Sequence, residues 1–337
     1  MTRLTSFAFT SLIALSLAGC RGDRSPLKRL FHLRSRSTHH AVARPKPAPP
    51  KPVESAVPPP EPSDIDVPEM AWFPWIKNSK VGRALAQSTL SNRFVVPEGF
   101  NRIILQPESI GNWLRMLPLA APGTVVADAS GKPTVVTTAG FAAAVVVIDM
   151  HAEDSADALL RLHAEWRFSK GKTDKISYIS NSGRAMPFGR WLAGERIVLK
   201  KQNWDWAPIA TPSSGTEYAD LRNFLDAAYQ WVDPRALAIQ GKVLDSTDVE
   251  PGDYLVHAGK DPTLVIVLDV AKNAQGEPAM LLGHVAAPRQ SMYVMRASAE
   301  SAWFMPRPTH DITAPGLKPF VWKEHHRLPK AMLETAK

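Results

Sequence analysis

The chain has 337 residues, of which 45% are hydrophobic and 21% are charged, and it contains a single Cys. This hydrophobic fraction is typical of globular proteins, so disorder along the whole chain is excluded. One Cys excludes an internal disulfide and any metal centre built from several cysteines. The N-terminus holds the one long apolar stretch, which excludes a protein that crosses the membrane many times.

The positive charge of the chain is concentrated near the N-terminus. Residues 21–51 carry nine Lys or Arg and one Asp, whereas residues 52–69 carry five acids and no base. The formal net charge of +8 and the pI near 9.6 therefore reflect mainly this segment. Because no basic face is indicated for the remainder, we predict no nucleic-acid partner.

Residues 1–19 have the pattern of a lipoprotein signal peptide. Arg3 precedes an apolar run that ends in Leu-Ala-Gly before Cys20. This order resembles a bacterial lipobox, in which the chain is cut before the Cys and the Cys is lipidated with acyl groups such as palmitate. We therefore expect Cys20 to hold the protein on a membrane. Arg rather than Asp follows Cys20, which favours the outer membrane and a domain that faces the periplasm.

Residues 20–69 are predicted to form a tether. Ten prolines fall within residues 45–68, a density that favours extended polyproline II over helix or sheet. At about 3.1 Å per residue this part spans roughly 70 Å. The simplest interpretation is a spacer, and the alternative is that the basic part contacts lipid head groups or an acidic wall polymer.

Residues 70–330 are predicted to form one globular domain, followed by a tail at 331–337. Apolar residues recur at helical spacing in 154–169 and 216–232. Short apolar runs then follow one another closely, as is typical of hairpin-linked strands. Helices followed by such strands predict an α+β fold, with helices packed on an antiparallel sheet. The predicted strands are 142–150, 176–179, 196–200, 254–257, 264–270, 279–283 and 291–295.

Two further expectations concern burial. The Lys/Arg-rich segment near the C-terminus suggests that His325 and His326 are exposed. The apolar faces of the predicted elements define a core. Its expected members are Val145, Val147, Leu159, Leu162, Trp166, Val265, Val267 and Leu281.

Common motifs of nucleotide binding, zinc hydrolysis and serine hydrolysis do not occur in the sequence. Asp149, His151 and Glu153 alternate at a strand end, but three such residues are more typical of a solvated turn than of a metal site. We therefore predict no cofactor and no metal.

Several segments, taken in order, resemble a bacterial family known as domain of unknown function 4846. The resemblance extends over about residues 95–305 and includes a Trp-Leu-Arg-Met-Leu-Pro-Leu sequence that ends at Leu119. The segments that carry it are 97–102, 109–119, 156–166, 182–196, 221–225, 252–256, 265–269 and 301–304. The family pattern has a Cys at the start of a helix, a Gly-His-Ala strand and a polar residue on the next strand.

That order is similar to the NlpC/P60 and CHAP papain-like peptidases, in which a helix N-terminus activates the Cys and the strand His is the base. By analogy, the resemblance implies a papain-like arrangement with a cleft where helix meets sheet. It also implies ligands such as peptidoglycan peptides or related amides, which fits a tethered envelope protein.

The present chain departs from the pattern at these very positions. Ser155 stands at the Cys position, Thr263 at the His position and His284 at a position where the family tends to have Gln. A Thr does not act as a base at neutral pH, and an unassisted Ser is a poor nucleophile. In the simplest interpretation, Ser155 caps the helix and His284 is a hydrogen-bonded strand residue.

Two main hypotheses follow. In the first, the domain is not catalytic and binds a peptide or cell-wall fragment in a cleft lined by Thr263 and three tryptophans, Trp166, Trp191 and Trp303. In the second, the domain is an amide hydrolase in which Ser155 is the nucleophile, His284 the base and Asp269 the residue that orients the His. A third possibility, a purely structural spacer, predicts no pocket at the helix–sheet junction.

Overall fold

The computed structural model describes residues 72–77, 88–148, 154–244, 248–286, 289–307, 310–322 and 325–333. The signal peptide, Cys20 and the tether therefore lie outside the described residues, as do Asp149, His151 and Glu153. Within the described ranges, no helix combines the length and the apolar character needed to cross a membrane.

Most helices of the domain are short. In chain order they are α1 (Pro74–Lys77), α2 (Leu90–Arg93), α3 (Ile110–Arg115), α4 (Val135–Thr138), α5 (Ser155–Ser169), α6 (Phe188–Leu192), α7 (Tyr218–Tyr229), α8 (Pro234–Gln240) and α9 (Lys330–Leu333). A single 3-10 turn at Thr173–Lys175 follows α5. The two longest helices, α5 and α7, pack against each other, and α5 also packs on the sheet.

The strands are, in chain order, β1 (Ser88–Thr89), β2 (Phe100–Arg102), β3 (Pro118–Leu119), β4 (Ala142–Val145), β5 (Ser177–Ile179), β6 (Ala185–Pro187), β7 (Glu195–Lys200), β8 (Asn203–Pro208), β9 (Lys242–Leu244), β10 (Tyr254–His257), β11 (Thr263–Asn273), β12 (Pro278–His284), β13 (Tyr293–Met295), β14 (Trp303–Phe304) and β15 (His325–Arg327). Nine of them form one sheet in the described part of the chain, and its pairings are antiparallel.

The large sheet runs in the order β4-β13-β12-β11-β10-β15-β9, with β2 on β11 and β14 on β12 beside this path. The predicted α+β fold with helices on an antiparallel sheet is thus confirmed. Three further pairs, β1–β3, β5–β6 and β7–β8, form separate two-stranded sheets.

Both faces of the central strands β11 and β12 are buried, which explains the continuous apolar run in the sequence of β11. Leu264 and Ile266 point into the cluster on the helical side, whereas Val265 and Val267 point into a second cluster on the opposite side. A strand buried on both faces needs apolar residues at successive positions. A register shift between Val267 and Asp269 interrupts the alternation in β11.

Helix α5 begins and ends where its sequence predicts. The side chain of Asp154 accepts from the backbone N–H groups of Ala156 and Asp157, and the side chain of Asp157 accepts from the N–H of Asp154. Such a capping box satisfies the free N–H groups of the first turn. Gly171, with φ of 64°, follows the last turn. The prediction of a helix over 154–169 is confirmed.

The predicted core is buried with one exception, Val147, which is partly exposed. Eight of the ten tryptophans are also buried. The expectation for His325 and His326 was wrong, because both lie in β15 between β10 and β9 and are 0% and 6% exposed. The apolar residues around them, Phe320, Trp322 and Leu328, place this segment in the fold.

Candidate functional site

Ser155 is the first residue of α5, directly after the capping Asp154. It does not cap the helix itself, as the simplest interpretation of the sequence suggested, because the Asp154 carboxylate occupies that role. The Ser155 hydroxyl instead accepts a hydrogen bond from the backbone N–H of Leu264 in β11, with an N–O distance of 3.1 Å. Ser155 therefore joins the start of the helix to the sheet, and it is 5% exposed.

Thr263, the first residue of β11, lies between Ser155 and His284. Its Oγ1 donates to Ser155 Oγ at 3.4 Å and lies 3.1 Å from His284 Nε2. Among the described residues, Ser155 and His284 each form a hydrogen bond with Thr263, and they form none with each other. The structure thus brings together Ser155, Thr263 and His284, the three residues that the resemblance placed around one cleft.

Tyr293 extends this polar chain at the other end. His284 is the last residue of β12 and pairs with Tyr293 in β13. The Tyr293 hydroxyl lies 3.0 Å from His284 Nδ1. Because Thr263 donates to Ser155, its oxygen is left to accept from His284 Nε2–H, and Nδ1 then accepts from Tyr293. This proton arrangement gives every bond in the chain one donor and one acceptor.

Of these four residues, Ser155, His284 and Tyr293 are buried and Thr263 is half-buried, and none of them carries a charge at neutral pH. Burial lowers the pKa of His284 from 6.5 to about 4, so the imidazole is neutral at neutral pH. Burial raises the pKa of Tyr293 well above that of an exposed tyrosine, so its hydroxyl keeps its proton. Ser155 Oγ accepts two hydrogen bonds, one from Leu264 and one from Thr263, which engages both of its lone pairs.

A cavity of about 430 Å³ opens beside this polar chain. Its volume lies in the range of pockets that hold small molecules. The apolar part of its wall includes Val135, Val136, Phe141, Val285, Pro315 and Leu317. The polar part includes Ser155, His257, Thr263, His284, Gln290 and Tyr293.

Two charged residues of the cavity wall form an ion pair. Lys318 Nζ lies 3.4 Å from Asp261 Oδ2, and both side chains are more than half exposed. Exposed pairs of this kind contribute little to stability. Their opposite charges leave this part of the wall without a net charge.

Gln290 is the polar residue of the wall whose hydrogen bonds are incomplete. Its Nε2 donates to the carbonyl oxygen of Ala286 at 3.1 Å. Its Oε1 is buried and has no hydrogen-bond partner among the described residues. A buried acceptor without a donor is rare in folded proteins.

Asp269 lies elsewhere and does not orient His284. Its two carboxylate oxygens accept from Arg102 Nε at 2.6 Å and from Arg115 Nε at 2.7 Å, and Asp269 is fully buried. The residue that contacts His284 Nδ1 is Tyr293. The two arginines explain the placement, because a buried carboxylate requires opposite charges close by.

The three tryptophans expected in the cleft do not line the cavity. The Trp166 indole N–H donates to the Glu108 carbonyl oxygen, and Trp166 is fully buried. Trp191 lies under the guanidinium of Arg196, 4.1 Å from the ring centroid. The Trp303 N–H donates to the Val95 carbonyl oxygen. Thr263 is the one residue of the predicted cleft set that lines the cavity.

Sequence reasoning missed Tyr293 and Gln290. Tyr293 lies in a strand that was predicted, and pairing that strand with its predecessor would have placed it opposite His284. Gln290 had no such signal, because it precedes the strand in an irregular segment. The wall at 315–318 likewise comes from a distant part of the chain.

The fold and the site define an α+β protein with a cavity where a helix N-terminus meets an antiparallel sheet. The sequence profile of the family described as Domain of unknown function (4846) matches residues 90–327, so the chain belongs to that family. No curated protein matches the chain. No solved structure matches it either.

Proposed function

We propose that this protein is an envelope lipoprotein whose domain has a papain-like, NlpC/P60-like arrangement, is not catalytic, and binds a peptide or cell-wall fragment in the cavity beside Ser155. The observation that carries the proposal is the state of the Ser155 hydroxyl, which accepts from Leu264 and Thr263 next to an open cavity.

The positions of three residues support the papain-like arrangement. Ser155 begins α5, Thr263 begins β11 and His284 ends β12, and hydrogen bonds link the three side chains in that order. In papain-like peptidases the Cys, the His and a third polar residue occupy a helix start and two neighbouring strands. This analogy between folds supports the arrangement of the site and does not support a catalytic activity.

The chemistry of the three residues supports the absence of catalysis. A serine nucleophile needs a free lone pair and a base that takes its proton. The Ser155 lone pairs are engaged, and the Thr263 hydroxyl separates Ser155 from His284. Burial also keeps the pKa of His284 at about 4, which makes the imidazole a weak base. The alternative, an amide hydrolase that uses a Ser155–His284 dyad, is therefore the less favoured proposal.

A site without catalytic residues can still bind a ligand, because binding requires only the cavity and its wall. Its wall combines apolar side chains with a few polar groups, which is typical of sites for small ligands. A peptide offers both amide groups and small side chains to such a wall. The third possibility, a spacer without a pocket, is disfavoured by the cavity itself.

The location is proposed from the sequence. Lipidation of Cys20 would hold the chain on the outer membrane, and the Pro-rich tether would carry the domain into the periplasm at the distance of the cell wall. A cell-wall fragment is a ligand that such a domain would meet.

Equilibrium binding of muropeptides to the full-length protein in detergent tests the proposal. Ala286→Phe would place an aromatic ring in part of the cavity, since Ala286 lines it. Ile239→Phe is the matched control, because Ile239 is 87% exposed and lies on α8, outside the cavity wall. We expect wild type and the control to bind and Ala286→Phe to lose binding. Equal binding by all three proteins, or by none, would contradict the proposal.

A further inference from the structure

The unsatisfied oxygen of Gln290 limits which ligands fit the cavity. Gln290 is 5% exposed and lines the cavity. The bond from Nε2 to the Ala286 carbonyl fixes the orientation of the side-chain amide, because the reverse orientation would place two oxygens against each other. Oε1 is thus a buried acceptor that has no donor among the described residues. A ligand that supplies an N–H at this point would complete its hydrogen bonding.

The charges around the cavity disfavour an anionic ligand. A helix N-terminus attracts anions through its free N–H groups. At α5, however, the carboxylate of Asp154 already accepts from Ala156 and Asp157. In the described wall, Lys318 is the one Lys or Arg, and it is paired with Asp261. An anion would therefore meet no unpaired Lys or Arg in the described wall and would face the negative charge of Asp154.

The rest of the wall favours a small apolar group next to the N–H donor. Val136 and Phe141 are contributed by one segment, and Leu317 by another. Contact with such side chains stabilises aliphatic groups by removing them from water. A group that combines an N–H donor, no charge and a small aliphatic neighbour is the secondary amide of a peptide.

We infer that the cavity binds an uncharged peptide unit whose N–H donates to Gln290 Oε1, so that Gln290 determines the specificity of the site. The inference rests on the proposed function and deepens it, since it names the chemical group that is recognised and the residue that recognises it. Carboxylates and phosphates are disfavoured as the group that is recognised, because they are anionic and offer no donor to Oε1.

Ester substitution in the ligand tests this directly. Acetyl-trialanine amide is titrated into the full-length protein by calorimetry, together with analogues in which one internal N–H at a time is replaced by oxygen. We expect one analogue to bind wild type about tenfold more weakly than the parent, which is the typical effect of one lost hydrogen bond. Against Gln290→Met, which replaces the amide oxygen by a thioether that accepts only weakly, that analogue and the parent should bind nearly equally well.

Three outcomes would overturn the inference: no analogue weakens binding, the same analogue loses affinity equally with wild type and Gln290→Met, or the parent peptide does not bind. If Gln290→Met does not fold, the ester series with wild type still tests whether the site recognises one peptide N–H. If muropeptides still bind and Ala286→Phe blocks them, only this inference fails. If neither peptides nor muropeptides bind wild type, the proposed function fails with it.

Discussion

The Thr263 hydroxyl lies 3.1 Å from Nε2 of His284 and donates a hydrogen bond to Ser155 Oγ. Ser155 and His284 thus share a partner without contacting each other through a hydrogen bond in the described part of the chain. Thr263, where the resemblance implied a His, instead bridges its two neighbours. Consequences for stability and for activity follow from this bridge.

Replacing Thr263 by Val should destabilise the fold. Thr263→Val has nearly the same shape but leaves buried His284 Nε2 without a partner, and an unmade buried hydrogen bond costs about 1–3 kcal/mol. Urea unfolding measures the change in free energy. Thr263→Ser, which keeps the hydroxyl, should lose less. Equal stability of wild type and Thr263→Val would show that the bridge does not contribute.

Asp269 should be among the most sensitive positions in the domain. Asp269→Asn removes the charge between Arg102 and Arg115, and loss of one partner of a buried ion pair costs about 3–5 kcal/mol. The matched control is Glu195→Gln, which breaks the more exposed pair with Arg190 and should cost far less stability than Asp269→Asn. Urea unfolding of both variants under the same conditions measures the two losses in free energy of unfolding. Similar losses would contradict the structural role assigned to Asp269.

Stability should fall as the solution is acidified, in part because of His284. Burial lowers the pKa of His284 to about 4, whereas an unfolded chain has the ordinary value near 6.5. At a pH between these two pKa values, the unfolded state binds a proton at this position and the folded state does not. The contribution of His284 to the free energy of unfolding is therefore present at pH 7 and is lost as the pH falls towards 4.

His284→Gln isolates this effect from that of His163, whose pKa burial also lowers to about 4. Because Glu165 is present in both proteins, its opposite effect on the pH dependence, which comes from a pKa raised by burial, cancels in the comparison. Between pH 7 and pH 5 the variant should lose about 2 kcal/mol less unfolding free energy than wild type. Parallel pH profiles would show that His284 is not a buried neutral histidine.

Lipidation is predicted to depend on Cys20. Cys20→Ala should abolish the incorporation of labelled palmitate and release the protein from the membrane fraction, because no other Cys exists in the chain. Fractionation and intact mass measure both effects. Undiminished membrane association of Cys20→Ala would contradict the assignment.

Local patterns in the sequence predicted most of the elements that build the site. The capping residues and apolar spacing of α5, and the apolar runs of β11 and β12, are properties of short segments. The family pattern then predicted that Ser155, Thr263 and His284 come together, although nothing in the sequence indicated that Thr263 bridges the other two.

Contacts between distant segments were the part that could not be predicted. Asp269 was assigned to the site because no local signal reveals that Arg102 and Arg115 meet it in the fold. Trp166 and Trp303 were assigned to a cleft on residue type alone, whereas burial of large aromatic side chains stabilises the core. Gln290 reaches the cavity from an irregular segment that has no pattern to interpret.

The central claim is that the cavity binds its ligand without cleaving it. Incubation of the full-length protein with muropeptides, followed by chromatography and mass spectrometry over time, tests it most directly. We predict that wild type and Ser155→Ala both leave the muropeptides intact. Cleavage by wild type that Ser155→Ala abolishes would contradict the account and establish the hydrolase.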